Sequence, residues 1–272
     1  MATNGSDSGV VSAIDTTQQQ EQEFNPLEML LAAASNPQDA GPPEPPSPEP
    51  EPEVDYNKPL TDGQDGYAVY TSMSSAELAM GYGNGGEADQ WQQKLTDNQK
   101  AGLYSYTGSG YHSMNDWLRG ETSYISPTTK AKARSLQHAL DKYTLQAPTV
   151  THRGTGPEFL GLPSNASPQQ IVAVVQALIG TGGRMTDKGF SSSAVFTGSS
   201  FNKPVIIHTQ TPAGKGIGAF VSGVSSVGKG ESEFLYNSGS HFVPLGVYMV
   251  GNTVHINARY DGRDKSTNIK KD

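Results

Sequence analysis

The order of its periodicities constrains this chain more than any single motif does. From about Glu87 the apolar residues recur at helical spacing, beginning with Ala88, Trp91 and Leu95. Thr96 with Gln99 reads as a capping box that opens a helix over residues 98–106. Gly108-Ser109-Gly110 breaks that helix, and residues 112–118 form a short one closed by Gly120. Ala133, Leu136, Ala139, Leu140 and Tyr143 lie on one stripe, which predicts an amphipathic helix over residues 128–145 stopped by Pro148. A short β-branched strand follows at residues 149–152 and ends at Arg153-Gly154. Ser167-Pro168 is an N-cap with a first-turn proline, and its helix runs to Gly180. Beyond it the pattern is strand and turn: residues 188–195, 204–210, 218–221, 233–236, 242–250 and 253–260, the last two joined by Gly251-Asn252 as a tight hairpin. Helices first and strands afterward predict an α+β domain.

The apolar share, 34% over 272 residues, is low for a wholly globular chain, so a polar segment must dilute it. Eleven of the 27 acids but only one of the 19 bases fall in residues 1–60. Residues 1–23 are polar and offer little to bury, and residues 41–55 alternate Pro with Glu as an extended, self-repelling spacer. Between them, Asn25 as N-cap and Pro26 in the first turn suggest a short helix over 26–35, either transient or a docking peptide. We therefore expect a disordered acidic arm over 1–60, a folded domain over 61–261 and a frayed polar tail over 262–272. The domain is close to neutral, which argues against strong duplex nucleic-acid binding. There is no cysteine, hence no disulfide and no thiolate metal site. The six histidines show no ligand spacing, so no metal is expected. No secretory leader is read at the start, and no apolar run approaches the ~18 residues of a membrane span. No Gly-x-Gly-x-x-Gly lies between a strand and a helix, and there is no Walker loop.

Three segments could carry chemistry. Arg153 closes a strand and faces the turn Gly154-Thr155-Gly156. Phe190-Ser191-Ser192-Ser193 opens a second strand. Glu231-Ser232-Glu233 opens a third, after the turn Gly228-Lys229-Gly230. Side chains two apart on a strand share a face, so Glu231 and Glu233 should project together, and like charges so close raise one pKa. Each member has an ordinary reading: a surface ion-pair arginine, a solvent-facing serine, a solvated acidic edge. The order and the spacing of about 40 residues are more specific than any member.

Over roughly residues 87–260 these motifs resemble the arginine-specific mono-ADP-ribosyltransferases of the Arg–Ser–Glu type, which include bacterial exoenzyme toxins and enzymes of large tailed phages. Thr151-His152-Arg153-Gly154 resembles the family's first strand. Residues 188–193 resemble its aromatic-x-Ser-Thr-Ser strand, and Gly230-Glu231-Ser232-Glu233-Phe234-Leu235 its Glu-x-Glu motif. Tyr106-Thr107-Gly108 and Asn115-x-x-Leu118-Arg119 are also similar to the family. Two positions depart from it: the serine element reads Ser192-Ser193-Ala194, and His152 stands where the family often has an aromatic residue.

The resemblance implies N-terminal helices on a two-sheet, mostly antiparallel β core, and NAD+ as substrate, with ADP-ribose moved to arginine side chains of target proteins. Arg153 would bind the pyrophosphate, with Arg119 or Arg184 assisting. Ser192 would position Glu233, and Glu233 would stabilise the oxocarbenium-like transition state. Glu231 would orient or deprotonate the acceptor guanidinium. Gly154, Phe190, Ser191 and Ser193 would line the dinucleotide site, residues 197–203 would cover the phosphates, and residues 224–230 would meet the acceptor. The acceptors would be host proteins, such as transcription or translation machinery, met by a monomer. The setting is a host bacterial cytoplasm, with carriage in a phage virion, or alternatively a host cell entered by a secreted effector. A silent binding module of the same fold and an NAD+ glycohydrolase are the competing readings.

Overall fold

The computed structural model describes residues 54–199, 203–226 and 232–270. The expected arm helix, most of the Pro/Glu spacer, Glu231 and parts of the two expected loops lie outside the described residues.

Six α-helices are described: α1 (Met73–Ala79), α2 (Glu87–Gln93), α3 (Asp97–Ser105), α4 (Tyr111–Arg119), α5 (Pro127–Leu140) and α6 (Pro168–Thr181). Local chemistry sets most of their ends. Both halves of the Thr96–Gln99 capping box form at α3, and Ser167 with Gln170 builds the same box at α6 ahead of Pro168. Gly120 caps α4 at φ 83, a left-handed conformation that costs glycine nothing. Between α3 and α4 the backbone widens into a π-turn (Tyr106–Gly110), with Gly108 non-helical at φ −91, ψ −126.

The strands are β1 (Thr144–Leu145), β2 (Thr149–Thr155), β3 (Met185–Asp187), β4 (Ser191–Ala194), β5 (Val205–Thr211), β6 (Gly214–Lys215), β7 (Gly218–Phe220), β8 (Glu233–Tyr236), β9 (Ser240–Val250) and β10 (Thr253–Arg263). β1 pairs with β6, and the others run in the order β3-β9-β10-β5-β2-β4-β8-β7. Among the described strand pairs, only β10–β5 is parallel. The long row divides into two blocks, β3-β9-β10-β5-β2 and β4-β8-β7. They meet at a single register pair, His152 with Ala194. α6 packs Ile171 and Val175 against the β9–β10 end of the first block. Trp91, Leu103, Met114, Leu136 and Tyr143 fill the space under the second with Phe234 and Tyr236. The α+β class and the largely antiparallel core follow the expectation. Among the described residues, no helix is long and apolar enough to cross a membrane.

Several boundaries differ from the sequence reading, and the reasons are tertiary. α5 ends at Leu140, not at 145. Asp141 caps it while its Oδ1 accepts from Asn237 Nδ2 and Arg263 Nη1, both at 2.8 Å, and Thr144-Leu145 leave to pair with β6. β2 continues past Arg153 to Thr155 because β5 pairs with it over its whole length. β4 begins at Ser191, not at 188, since Gly189 and Phe190 are held by side chains instead of a neighbouring strand. β10 runs on to Arg263, and buried Ile269 donates its N–H to Gln137 Oε1 at 2.8 Å, so the described part of the expected tail is tied to α5.

Candidate active site at the seam between the two strand blocks

The seam places three of the four predicted catalytic residues in one cleft. Arg153 comes from β2, Ser192 from β4 and Glu233 from β8, and all three line it with Tyr106, Asn115, Arg119, His152, Gly154 and Phe190. The register explains why. Glu233 pairs with Ala194, Ala194 with His152 and His152 with His208, so these side chains form one row on one face. Ser192 is two residues from Ala194 on the same strand and shares that face. Its hydroxyl donates to Glu233 Oε1 at 2.6 Å. The Glu233 backbone N–H donates to Ser222 Oγ at 3.0 Å. Glu233 is therefore held at its backbone and at its carboxylate, and the residue is only 4% exposed.

Ser191 points to the opposite face, where it accepts from Arg153 Nη1. Arg153 also lies 3.3 Å from Asp187 Oδ2 and stacks its guanidinium 5.2 Å from the Phe159 ring centroid. Arg119 meets the same Asp187 in a two-pronged pair, Nε to Oδ1 and Nη2 to Oδ2, both at 3.0 Å. Asp187 is thus a buried anion shared by two guanidiniums, and its Oδ1 also accepts the Gly189 N–H at 3.0 Å. A second cleft, lined by Thr155, Glu158, Phe159, Thr186 and Lys188, joins the first at Arg119 and Arg153. Arg184 is elsewhere, paired with Asp261 at 2.9 Å.

Phe190 is fixed through its backbone. Its N–H donates to Asn115 Oδ1 at 2.8 Å, and its carbonyl accepts from Tyr106 Oη and Asn115 Nδ2 at 3.1 and 3.2 Å. A Cβ on Gly189 would stand 2.6 Å from Asn115 Oδ1, so only glycine lets α4 approach this closely. Burial pushes the Tyr106 phenol up, leaving it a neutral donor.

The extended backbone of β8 does not continue upstream of Glu233. Ser232 adopts φ 43, so the extended alternation stops at Glu233, and Glu231 lies outside the described residues. Ser232 is fully buried, and its hydroxyl has no hydrogen-bond partner among the described residues. A non-glycine residue in that conformation is strained, and such strain concentrates at functional sites.

Sequence reasoning assigned no role to Asp187 or Asn115, and Arg119 only an assisting one. Asn115 and Arg119 carried a usable signal, being four apart and so on one helix face. Asp187 carried none. Three histidines without ligand spacing in the sequence bond one another in the fold. His152 Nδ1 and His208 Nδ1 are 2.8 Å apart, and His208 Nε2 is 2.9 Å from His255 Nδ1. Burial pushes His152 down to about 4. It pushes His208 down to about 3, with help from the flanking histidines, and it lowers His255.

This has a consequence for stability. The unfolded chain takes up protons below the ordinary histidine pKa of about 6.5, while the folded chain does not until far lower. Stability should be complete above pH 6.5 and fall steadily toward pH 4, by ~3 kcal/mol for His152 alone. Thermal unfolding at pH 7 and 4.5 reads this. A midpoint unchanged between the two would show that the imidazoles charge freely in the fold.

Residues 82–262 match the family model described as ADP-ribosyltransferase exoenzyme. No curated protein matches the chain. Among solved structures, the C3stau2 protein of S. aureus with NAD is 16% identical, with a TM-score of 0.58, and the match covers 72% of this chain and 99% of that one. The Clostridium limosum C3 exoenzyme is 19% identical, with a TM-score of 0.59 over 73% and 99% of the two chains. The ADP-ribosylating toxin BECa of C. perfringens with NADH is 23% identical, with a TM-score of 0.59 over 70% and 49%.

Proposed function

The chain belongs to the ADP-ribosyltransferase exoenzyme family, and from that premise we propose that it moves ADP-ribose from NAD+ to arginine side chains of target-cell proteins and releases nicotinamide. The observation that carries this reading is the convergence in one cleft of a positioned carboxylate, Glu233, with two guanidiniums, Arg119 and Arg153. The two forks suit a pyrophosphate, because planar guanidiniums bond its oxygens in pairs. The clefts that meet at these arginines give a dinucleotide room to extend on either side of its phosphates.

Glu233 sits where the nicotinamide ribose would lie. As the bond from the anomeric carbon to the pyridinium nitrogen breaks, its electron pair leaves with nicotinamide and positive charge develops on the sugar. A fixed carboxylate stabilises that charge, and Ser192 keeps it aimed without neutralising it. Glu231 supports arginine as the acceptor. A guanidinium has a pKa above ~12 and attacks carbon only when a nearby base accepts its proton. A second carboxylate two residues before Glu233 supplies that base. The family's exoenzymes favour the secreted-effector setting over the phage one.

Radiolabelled NAD+ incubated with a target-cell lysate tests the reading. We expect label on arginine, located by mass spectrometry, and nicotinamide release to accompany it. Glu231→Gln should cut arginine labelling by ~100-fold or more while sparing NAD+ hydrolysis, the scale expected for removal of a general base. Labelling that survives this substitution would take Glu231 out of the acceptor site. Hydrolysis without any labelled protein would favour the glycohydrolase.

A further inference from the structure

We propose that His152 contacts the substrate, its Nε2–H donating to the carboxamide oxygen of nicotinamide, and that His208 and His255 set its tautomer in series. The inference rests on the dinucleotide reading of the cleft. It concerns a residue that neither the Arg–Ser–Glu motif nor the family match assigns.

The geometry begins with strand order. His152 lies on β2, with β5 on one side and β4 then β8 on the other. Its Nδ1 is committed to His208 on β5. The two nitrogens of an imidazole occupy opposite edges of the ring, so Nε2 is directed toward β4 and β8. The next residue in that direction is Ala194, and after it comes Glu233. His152 lines the cleft, is 3% exposed, and its Nε2 has no hydrogen-bond partner among the described residues. A buried, unpaired ring nitrogen costs on the order of 1–3 kcal/mol. A ligand that bonds it removes that cost.

The dimensions select the ligand group. Two strand spacings, about 10 Å, separate the backbones of His152 and Glu233. A ribose held by Glu233 puts its base over Ala194, with the carboxamide next to His152. Gly154, also on this wall, has no side chain to obstruct a flat ring.

The hydrogen-bond chain ties the state of Nε2 to the tautomer of His255. Burial keeps all three imidazoles neutral near pH 7, so each carries one ring proton. If His255 Nδ1–H donates to His208 Nε2, then His208 carries its proton on Nδ1 and donates it to His152 Nδ1. His152 must then carry its own proton on Nε2, facing the cleft. His255 stacks at 5.0 Å on Tyr248 at the half-buried end of the chain. His208 and His255 are therefore positioning residues, and only His152 touches substrate.

The test uses ¹⁵N-histidine-labelled protein and two ligands. NADH keeps the carboxamide but is not a leaving-group substrate, and ADP-ribose lacks nicotinamide altogether. NADH should move the His152 Nε2 resonance, and ADP-ribose should leave it in place. His152→Phe should weaken NADH by about 5- to 10-fold and ADP-ribose by less than 2-fold, the range of one neutral hydrogen bond. His152→Gln, which restores a donor of similar reach, should stay within about 2-fold of the parent for NADH and guards against a folding artefact. His255→Phe should shift the His152 nitrogen resonances in the free protein and weaken NADH about 2- to 3-fold. Equal weakening of both ligands by His152→Phe would overturn the contact, as would a His152 signal indifferent to NADH. If the parent protein binds neither ligand, the dinucleotide reading falls as well. If it binds both and His152→Phe changes neither, only the histidine assignment falls.

Discussion

Replacing Glu233 with glutamine is expected to slow nicotinamide release from NAD+ by at least about 10³-fold, which is ~4 kcal/mol of lost transition-state stabilisation. NAD+ affinity should stay within about 3-fold, because the charge matters only once the sugar becomes cationic. The substitution is nearly isosteric. Ser192 can still donate to the amide oxygen, as it does to Oε1 at 2.6 Å, and the backbone bond from residue 233 to Ser222 is untouched. The protein should therefore fold as before and lose only the negative charge. Chromatographic measurement of nicotinamide, beside a thermal melt of the variant, separates these effects. A loss of rate below about 10-fold with an unchanged melting point would mean that another group stabilises the cationic sugar.

What could be read from the residues alone was local. The α3 and α6 capping boxes need only four consecutive residues each, and both form where the spacing places them. The Gly251-Asn252 turn likewise contains its own reason, with Gly251 at φ 58 between β9 and β10. The α5 terminus could not be read in this way. The stripe from Ala133 to Tyr143 is buried as expected, but the helix stops at a residue held by side chains 96 and 122 positions away. β3 is three residues long, and only its pairing with β9 makes it a strand.

The site divides along the same line. Arg153, Ser192 and Glu233 sit in recognisable strings, and their elements bring them to one cleft. Asp187 sits in no such string, since its guanidinium partners are 34 and 68 positions upstream. The histidine chain was equally invisible. Its members are 56 and 47 positions apart, and ligand spacing is the wrong test for rings that bond each other across three strands. Glu231 itself lies outside the described residues. Its pairing with Glu233 was argued from strand alternation, and the left-handed backbone at Ser232 removes that premise without removing the motif.

Asp187→Asn is expected to lower stability by ~3 kcal/mol, a fall in melting temperature of roughly 6–12 °C for a domain of this size. The side chain is 1% exposed and is the shared counter-ion of Arg119 and Arg153, so its loss leaves two guanidiniums facing each other with their negative partner gone. Its effect on NAD+ binding is the more informative result, because two terms oppose one another. Removing an anion from a site for a pyrophosphate should by itself tighten binding. Against this, Asp187 aims both forks and anchors the Gly189 N–H ahead of β4. Each hydrogen bond to a charged group contributes about 1.5–3 kcal/mol, and several are disturbed together. The positioning term should win, giving NAD+ binding weaker by about 10-fold. Calorimetry at fixed ionic strength reads the sign directly. Tighter binding in the variant would mean that Asp187 competes with the phosphates for the arginines instead of holding them ready.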